Sequence, residues 1–265
     1  MKRKALILLL AALMLLLAAC GSGPRPAAVS APERPSVSQE PEEAIPEPEA
    51  EPTPEPTPAM PPLPDIDITS WEFKLANSYN SIANYALPQY GGFEGQGIDY
   101  RIYEILHAFV QAARDAGLRC YVSVAYRNFD YWLYNYWSKL DSQQVTADVL
   151  STYFLGPGVN DHQTGLAVDF TDTVEWNCCY YDYEAPGFEG SDLQLWLLDN
   201  CADYGFIPRY PEGKEEWYGT PCPAASSHFR YVGVEAAHYI MDNNLCLEEF
   251  IRLYNPELCY VPGKS

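Results

Sequence analysis

A chain of 265 residues with 36 acidic against 16 basic side chains carries a net charge of −20 at pH 7, which makes nucleic acid and anionic lipid surfaces poor partners on electrostatic grounds. Aromatic residues make up 14% of the chain and charged residues only 20%, so a packed core can form and wholesale disorder is excluded.

Met1 to Lys4 is a short basic start, followed by an uncharged, Leu-rich run from Ala5 to Ala19. That run is shorter than the roughly 20 apolar residues a spanning helix needs, and it fits the apolar part of an export signal. It ends in Leu17-Ala18-Ala19-Cys20-Gly21, which resembles the lipobox of bacterial lipoproteins. The resemblance implies a signal peptide at residues 1–19, acylation of Cys20, and a lipid anchor on the extracytoplasmic face of the cell membrane. An ordinary cleaved signal is the alternative. Residues 20–64 begin with that cysteine and continue as Pro, Glu, Ala, Thr and Ser with almost no large apolar side chain, too little to offset the entropy of ordering. Glu-Pro-Thr-Pro repeats between Glu51 and Pro58 favour polyproline II at about 3.1 Å per residue, so an extended tether reaches on the order of 100 Å or more.

Residues 65–265 are long enough for one domain with a real core. Asp99 to Gly117 has the clearest helical pattern, with Ile102, Ile105, Leu106, Phe109, Val110 and Ala113 at 3.6-residue spacing, Asp99 as cap and Gly117 as stop. Arg119 to Arg127 reads as a strand. Leu166 to Thr171 alternates, placing Leu166, Val168 and Phe170 on one face and Ala167, Asp169 and Thr171 on the other. Ser191 with Gln194 predicts a capping box for a helix running to Gly205. Phe206 to Tyr210 and His228 to Val232 read as short strands, and Glu235 to Asn243 and Leu247 to Tyr254 as closing helices. Helices and strands mix without a regular parallel alternation, so the fold class is α+β, a small mainly antiparallel sheet flanked by helices. Eight cysteines are present. Besides Cys20 they are Cys120, Cys178, Cys179, Cys201, Cys222, Cys246 and Cys259, an odd set that leaves at least one thiol without a partner inside the domain. None has the Cys-x-x-Cys spacing of a structural zinc site.

Of the four histidines, His107 and His238 fall inside expected helices and read as ordinary helix residues. His162 sits in a Gly-bearing loop that runs into a strand carrying Asp169, and His228 opens a second strand. Seven extended residues span more than about 20 Å, so His162 and Asp169 can grip one ion only if the loop folds back, and Gly165 allows it. Two imidazoles and a carboxylate are a normal three-ligand set for catalytic zinc.

His162-Gln-Thr-Gly-Leu-Ala-Val-Asp169 resembles the His-x-x-Gly-x-Ala-x-Asp motif of the VanY-type D-alanyl-D-alanine carboxypeptidases, zinc peptidases that share a fold group with the hedgehog domain and phage endolysin peptidases. Four other stretches are similar to that family in its order. They are Trp71 to Asn77 with Ile98 to Arg101, Ala125-Tyr126-Arg127, Asp203 to Glu215, and His228 to Ala237. The resemblance implies zinc held by His162, Asp169 and His228. It also implies a substrate pocket containing Arg127 with Tyr126 beside it, where a planar guanidinium suits a terminal carboxylate. The implied activity is hydrolysis of D-Ala-D-Ala ends of peptidoglycan stem peptides at the cell surface, and a monomer is expected.

The chain also departs from the pattern. The family carries a general base as Glu-x-x-His, and here the aligned residue is Ala225, in Cys222-Pro-Ala-Ala-Ser-Ser-His228. Trp132 stands where the family has a Gln, and Val124 replaces a small polar residue. Glu184, Glu189 and Asp161 are the available replacement carboxylates. A disulfide from Cys222 to Cys178 or Cys179 would account for a rebuilt loop. Three readings stay open: a zinc carboxypeptidase, a degenerate module that binds wall peptides without cutting, and a metal-free surface protein.

Overall fold

Four short antiparallel strands form the main sheet, because the sequence offers only brief β-rich runs between turns. The computed structural model describes residues 60–173, 187–220 and 225–264. The signal and most of the tether therefore lie outside it, as do Cys178, Cys179, Glu184 and Cys222. Among the described residues the elements in chain order are β1 (Tyr90–Phe93), β2 (Gln96–Asp99), α1 (Tyr103–Asp115), β3 (Tyr121–Val124), α2 (Phe129–Gln143) and α3 (Ala147–Leu150). After these come β4 (Ala167–Thr171), α4 (Asp192–Asn200), β5 (Phe206–Pro208), α5 (Glu215–Tyr218), β6 (His228–Tyr231), α6 (Val234–Asp242) and α7 (Leu247–Tyr254). The strand order is β3-β4-β6-β5, with every pairing antiparallel, and β1-β2 is a separate hairpin. This is the expected α+β class.

Alternation along the strands divides the sheet into two faces. Val122, Val168, Phe170, Phe206 and Phe229 point into the core with Leu106, Phe109, Val110 and Ala113 of α1 and Leu193 and Leu197 of α4. Each such large side chain contributes about 1.5–3 kcal/mol by burial. On β5, the neighbour Ile207 turns instead toward Ala237 and Ile240 of α6 and Phe250 of α7. The opposite face of β4 and β6 carries Ala167, Asp169, His228 and Arg230, and it too is buried. A buried polar face must be satisfied internally, and it is here that the functional residues gather.

Most boundaries fall near the sequence-based ones, with instructive differences. Asp99 does cap its segment, accepting from the Arg101 N–H at 3.0 Å, but it starts a 3-10 turn, Tyr100–Ile102, before α1 begins. The strand expected from Arg119 to Arg127 shrinks to Tyr121–Val124, where a bulge opposite Asp169 ends the pairing. Ser191 caps α4, but Gln194 reaches the Gly190 N–H at 2.6 Å rather than that of Ser191. Helix α2 and the β1-β2 hairpin have no counterpart in the sequence reading.

Candidate metal centre

Asp169 on β4 and His228 on β6 are direct cross-strand partners, so their side chains rise side by side from the same face. His162 arrives from a single 3-10 turn, Asp161–Thr164. Asn160 caps that turn by accepting from the His162 N–H at 3.0 Å, and Gly165 ends it in the left-handed region with φ 75°. The loop thus folds back at the glycine the sequence indicated. A methyl group on Gly165 would meet Leu87 Cδ1 at 2.7 Å and the Asp99 nitrogen at 3.0 Å. We expect Gly165→Ala to cost about 2 kcal/mol or more, from left-handed strain and this clash together. Urea unfolding measures the loss, and the variant should also bind metal more weakly because His162 is displaced.

Asp169 stands between the two imidazoles. Its Oδ2 is 3.2 Å from His162 Nε2 and its Oδ1 is 2.7 Å from His228 Nδ1. The ligand atoms of His162, Asp169 and His228 all lie within 4.8 Å of one another, and among the described residues these three form the only cluster able to hold a metal ion. All three are buried, at 1%, 5% and 0% exposure. Burial alone would raise the Asp169 carboxyl, but the adjacent His162 and His228 hold it well below the usual carboxylate range. Two nitrogens and one carboxylate at this spacing fit the three-ligand set of a catalytic zinc.

Aromatic rings wall the cluster. Trp132 of α2 lies nearly parallel to His162 with ring centres 6.2 Å apart, and Tyr210 is tilted against His228 at 5.2 Å. Arg127 follows β3, and its backbone N–H reaches the His162 carbonyl at 3.3 Å, which ties it to the metal-bearing turn. Its guanidinium donates to Gln96 Oε1 at 2.9 Å and to the Tyr126 carbonyl at 2.9 Å, and it faces the Tyr131 ring. Among the described residues it pairs with no carboxylate, so its charge remains available to an anionic ligand. Tyr126 is half-buried, its ring packs edge-on to Tyr90, and burial raises its phenol. Gln96 was not anticipated as part of the site. Its burial in a strand with its amide on Arg127 is visible only in three dimensions.

The remaining residues fall as follows. His107 is exposed beside Phe93 and Tyr103, and His238 pairs with Asp203 at 3.0 Å far from the cluster. Ala225 is described and packs against the cluster of Leu155, Tyr210, Tyr218 and Cys246. Glu189 is exposed. Asp161 is fully buried behind His228, with Arg230 Nη1 2.5 Å from its Oδ1. Burial alone would raise its carboxyl, but Arg230 and Arg209 hold it well below the usual range. It pairs with Arg230 and Arg209 on the Nε2 side of His228. Cys120, Cys201, Cys246 and Cys259 are buried free thiols, and burial pushes the first two up to about 12.

Known proteins are similar to this chain in sequence and in fold. A family profile described as "VanY: D-alanyl-D-alanine carboxypeptidase" matches residues 95–234. A D-alanyl-D-alanine carboxypeptidase of Enterococcus faecalis is 34% identical over 196 residues, covering 70% of this chain and 67% of that relative. Among solved structures, VanYB in complex with D-alanine-D-alanine is 31% identical with a TM-score of 0.56, covering 69% of this chain and 98% of that one. An E175A mutant of the D,D-pentapeptidase VanY in complex with Zn(II) is also 31% identical, with a TM-score of 0.55 over 69% and 99% of the two chains. The LdcB LD-carboxypeptidase is 28% identical with a TM-score of 0.55, covering 67% of this chain and 84% of that one. The four-stranded antiparallel sheet, the buried His-Asp-His cluster and these matches together place the chain in the VanY family of zinc-dependent D-alanyl-D-alanine carboxypeptidases.

Proposed function

We propose that this protein is a zinc carboxypeptidase that trims peptidoglycan stem peptides ending in D-Ala-D-Ala. Its place of action is the outer face of the membrane, with Cys20 as lipid anchor and residues 20–64 as tether. The observation that carries the reading is the convergence of His162, Asp169 and His228 within 4.8 Å on adjacent strands and one tight turn. Zinc held by His162, Asp169 and His228 would supply a Lewis acid able to polarise a carbonyl and make a water more acidic.

The chain's own residues supply the rest. Arg127, steadied by Gln96, takes the terminal carboxylate of the peptide and sets which bond meets the centre. Trp132 and Tyr210 limit water around the imidazoles and lower the local dielectric, which strengthens every polar contact there. Arg127→Ala should lower kcat/KM by about 10–100-fold, the worth of one charge-assisted hydrogen bond or two, mainly through KM. Steady-state kinetics measure it, and an unchanged KM would remove Arg127 from the pocket.

A second reading is favoured by one observation: Ala225 carries no acid/base group, and a positioned one is worth about 10²–10⁴-fold. On that reading the domain binds wall peptides and does not cut them. Peptides ending in D-Ala-D-Ala, D-Ala-D-Lac and L-Lys-D-Ala, incubated with the zinc-loaded protein and followed by mass spectrometry, separate the two. Loss of one terminal residue from the D-Ala-D-Ala peptide supports the enzyme. Saturable binding by equilibrium dialysis with no cleavage of any of the three supports the binding module.

A further inference from the structure

We propose that Asp161 is the positioning carboxylate of the metal centre, fixing the ring of His228 so that its Nδ1 faces the ion. The inference rests on the zinc reading above.

The His228 ring is held between two carboxylates, one at each nitrogen. Nδ1 is 2.7 Å from Asp169 Oδ1, and Nε2 is 3.5 Å from Asp161 Oδ2. A neutral imidazole has one N–H and one lone pair. If Nδ1 gives its lone pair to a metal, the proton must sit on Nε2, and Asp161 Oδ2 is the acceptor facing it. Asp161 is suited to that task because its two oxygens are divided. Oδ1 is taken by Arg230 Nη1 at 2.5 Å. Oδ2 is fully buried and lies 3.5 Å from both His228 Nε2 and Arg209 Nε, too long for a good hydrogen bond to either. A buried acceptor without a close donor is costly. A proton on Nε2 points at Oδ2, and a shift of a few tenths of an ångström brings the two within hydrogen-bond distance.

The carboxylate is itself held in place. Arg209 is clamped by Glu248 of α7 through two bonds of 3.0 and 2.6 Å, and Glu248 accepts from Asn77 at 2.7 Å. Arg230 donates to the Glu72 and Lys74 carbonyls at 2.8 and 2.7 Å. Every one of these charged side chains is fully buried. Outer groups that orient a ligating histidine are worth about 10–100-fold in metal affinity. A role confined to neutralising Arg209 and Arg230 would instead change stability and leave zinc affinity alone.

The test uses the full-length protein in three forms: wild type, Asp161→Asn and Asp161→Glu. Zinc dissociation constants come from competition with a chromophoric chelator at one fixed pH. Nitrogen-15 shifts of His228 in the zinc-loaded wild type report which ring nitrogen carries the proton. We expect the proton on Nε2, about 10–100-fold weaker zinc binding for folded Asp161→Asn, and partial recovery in Asp161→Glu. Equal affinity of wild type and folded Asp161→Asn, or a proton on Nδ1 in the loaded wild type, overturns the inference. If Asp161→Asn does not fold, the wild-type tautomer decides alone. A wild type that binds no zinc at any concentration sinks the functional reading itself, a result distinct from equal binding by both proteins.

Discussion

Replacing His228 with alanine should take zinc out of the protein and reduce D-Ala release to background. His228 is fully buried and contributes one of the three ligand atoms that lie within 4.8 Å of one another. A four-ligand structural zinc site is worth about 10–16 kcal/mol, so one ligand accounts for roughly 3–4 kcal/mol and its loss lowers affinity on the order of 10³-fold. The substitution also strips Asp169 of its 2.7 Å partner and Asp161 of the nitrogen opposite Oδ2. A metal-buffered zinc titration of wild type and variant reads the effect. His228→Ala with full zinc affinity would remove β6 from the centre.

Truncating Glu248 has the largest expected effect on stability, although it lies on α7 and touches none of the three ligands. The carboxylate makes both bonds to the Arg209 guanidinium and takes the Asn77 amide, in a region without solvent. Removing one partner of a buried ion pair leaves an uncompensated charge and costs about 3–5 kcal/mol. Natural domains are stable by only about 5–15 kcal/mol, so Glu248→Ala should be close to unfolding at ordinary temperature. Urea unfolding in the presence of a chelator isolates the effect from metal binding. Glu248→Gln, which keeps one acceptor, should lose clearly less. A cost under about 1 kcal/mol for Glu248→Ala would mean that water reaches the pair.

The centre was legible in the sequence because its parts are local. The stretch from His162 to Asp169 carries two ligands with the glycine that lets the chain fold back, and His228 starts a recognisable strand. What the sequence could not give is direction. Asp161 sits beside His162 and is a candidate base in the sequence, yet the turn sends His162 to Asp169 and Asp161 to the Nε2 side of His228. The expected two-faced β4 has no solvent side at all, since β3 and β6 flank it and both faces are covered. Helix α2 escaped notice because its 15 residues bury only Trp132, leaving Leu133, Tyr134 and Trp137 exposed and no 3.6-residue apolar stripe. Its cap was nonetheless readable, as Asn128 accepts from the Tyr131 N–H at 2.8 Å. The hairpin carried only half a signal: Gly95, at φ 86°, suits a two-residue turn, but Glu94, at φ 49°, stands where Asn, Asp or Gly is favoured.

Trp132 and Ala225 occupy the positions at which this chain departs from the pattern it resembles, and the structure gives each a setting. Trp132 lies against His162 with the Phe154 ring on its other flank. Ala225 faces Leu155, Tyr210 and Tyr218, an apolar cluster in which a carboxylate would be poorly solvated. Ala225 itself therefore supplies no proton acceptor to the centre.

The most direct measurement of the central claim is the time course of D-Ala release from a pentapeptide ending in D-Ala-D-Ala. It is run on the protein with one equivalent of zinc, after zinc removal by dipicolinate, and after zinc is restored. The expected result is release that disappears with the metal, returns with it, and is absent from His228→Ala throughout. Tightly bound zinc at full occupancy with no release above the uncatalysed rate would contradict it, and would mean that the His162, Asp169 and His228 centre serves binding alone.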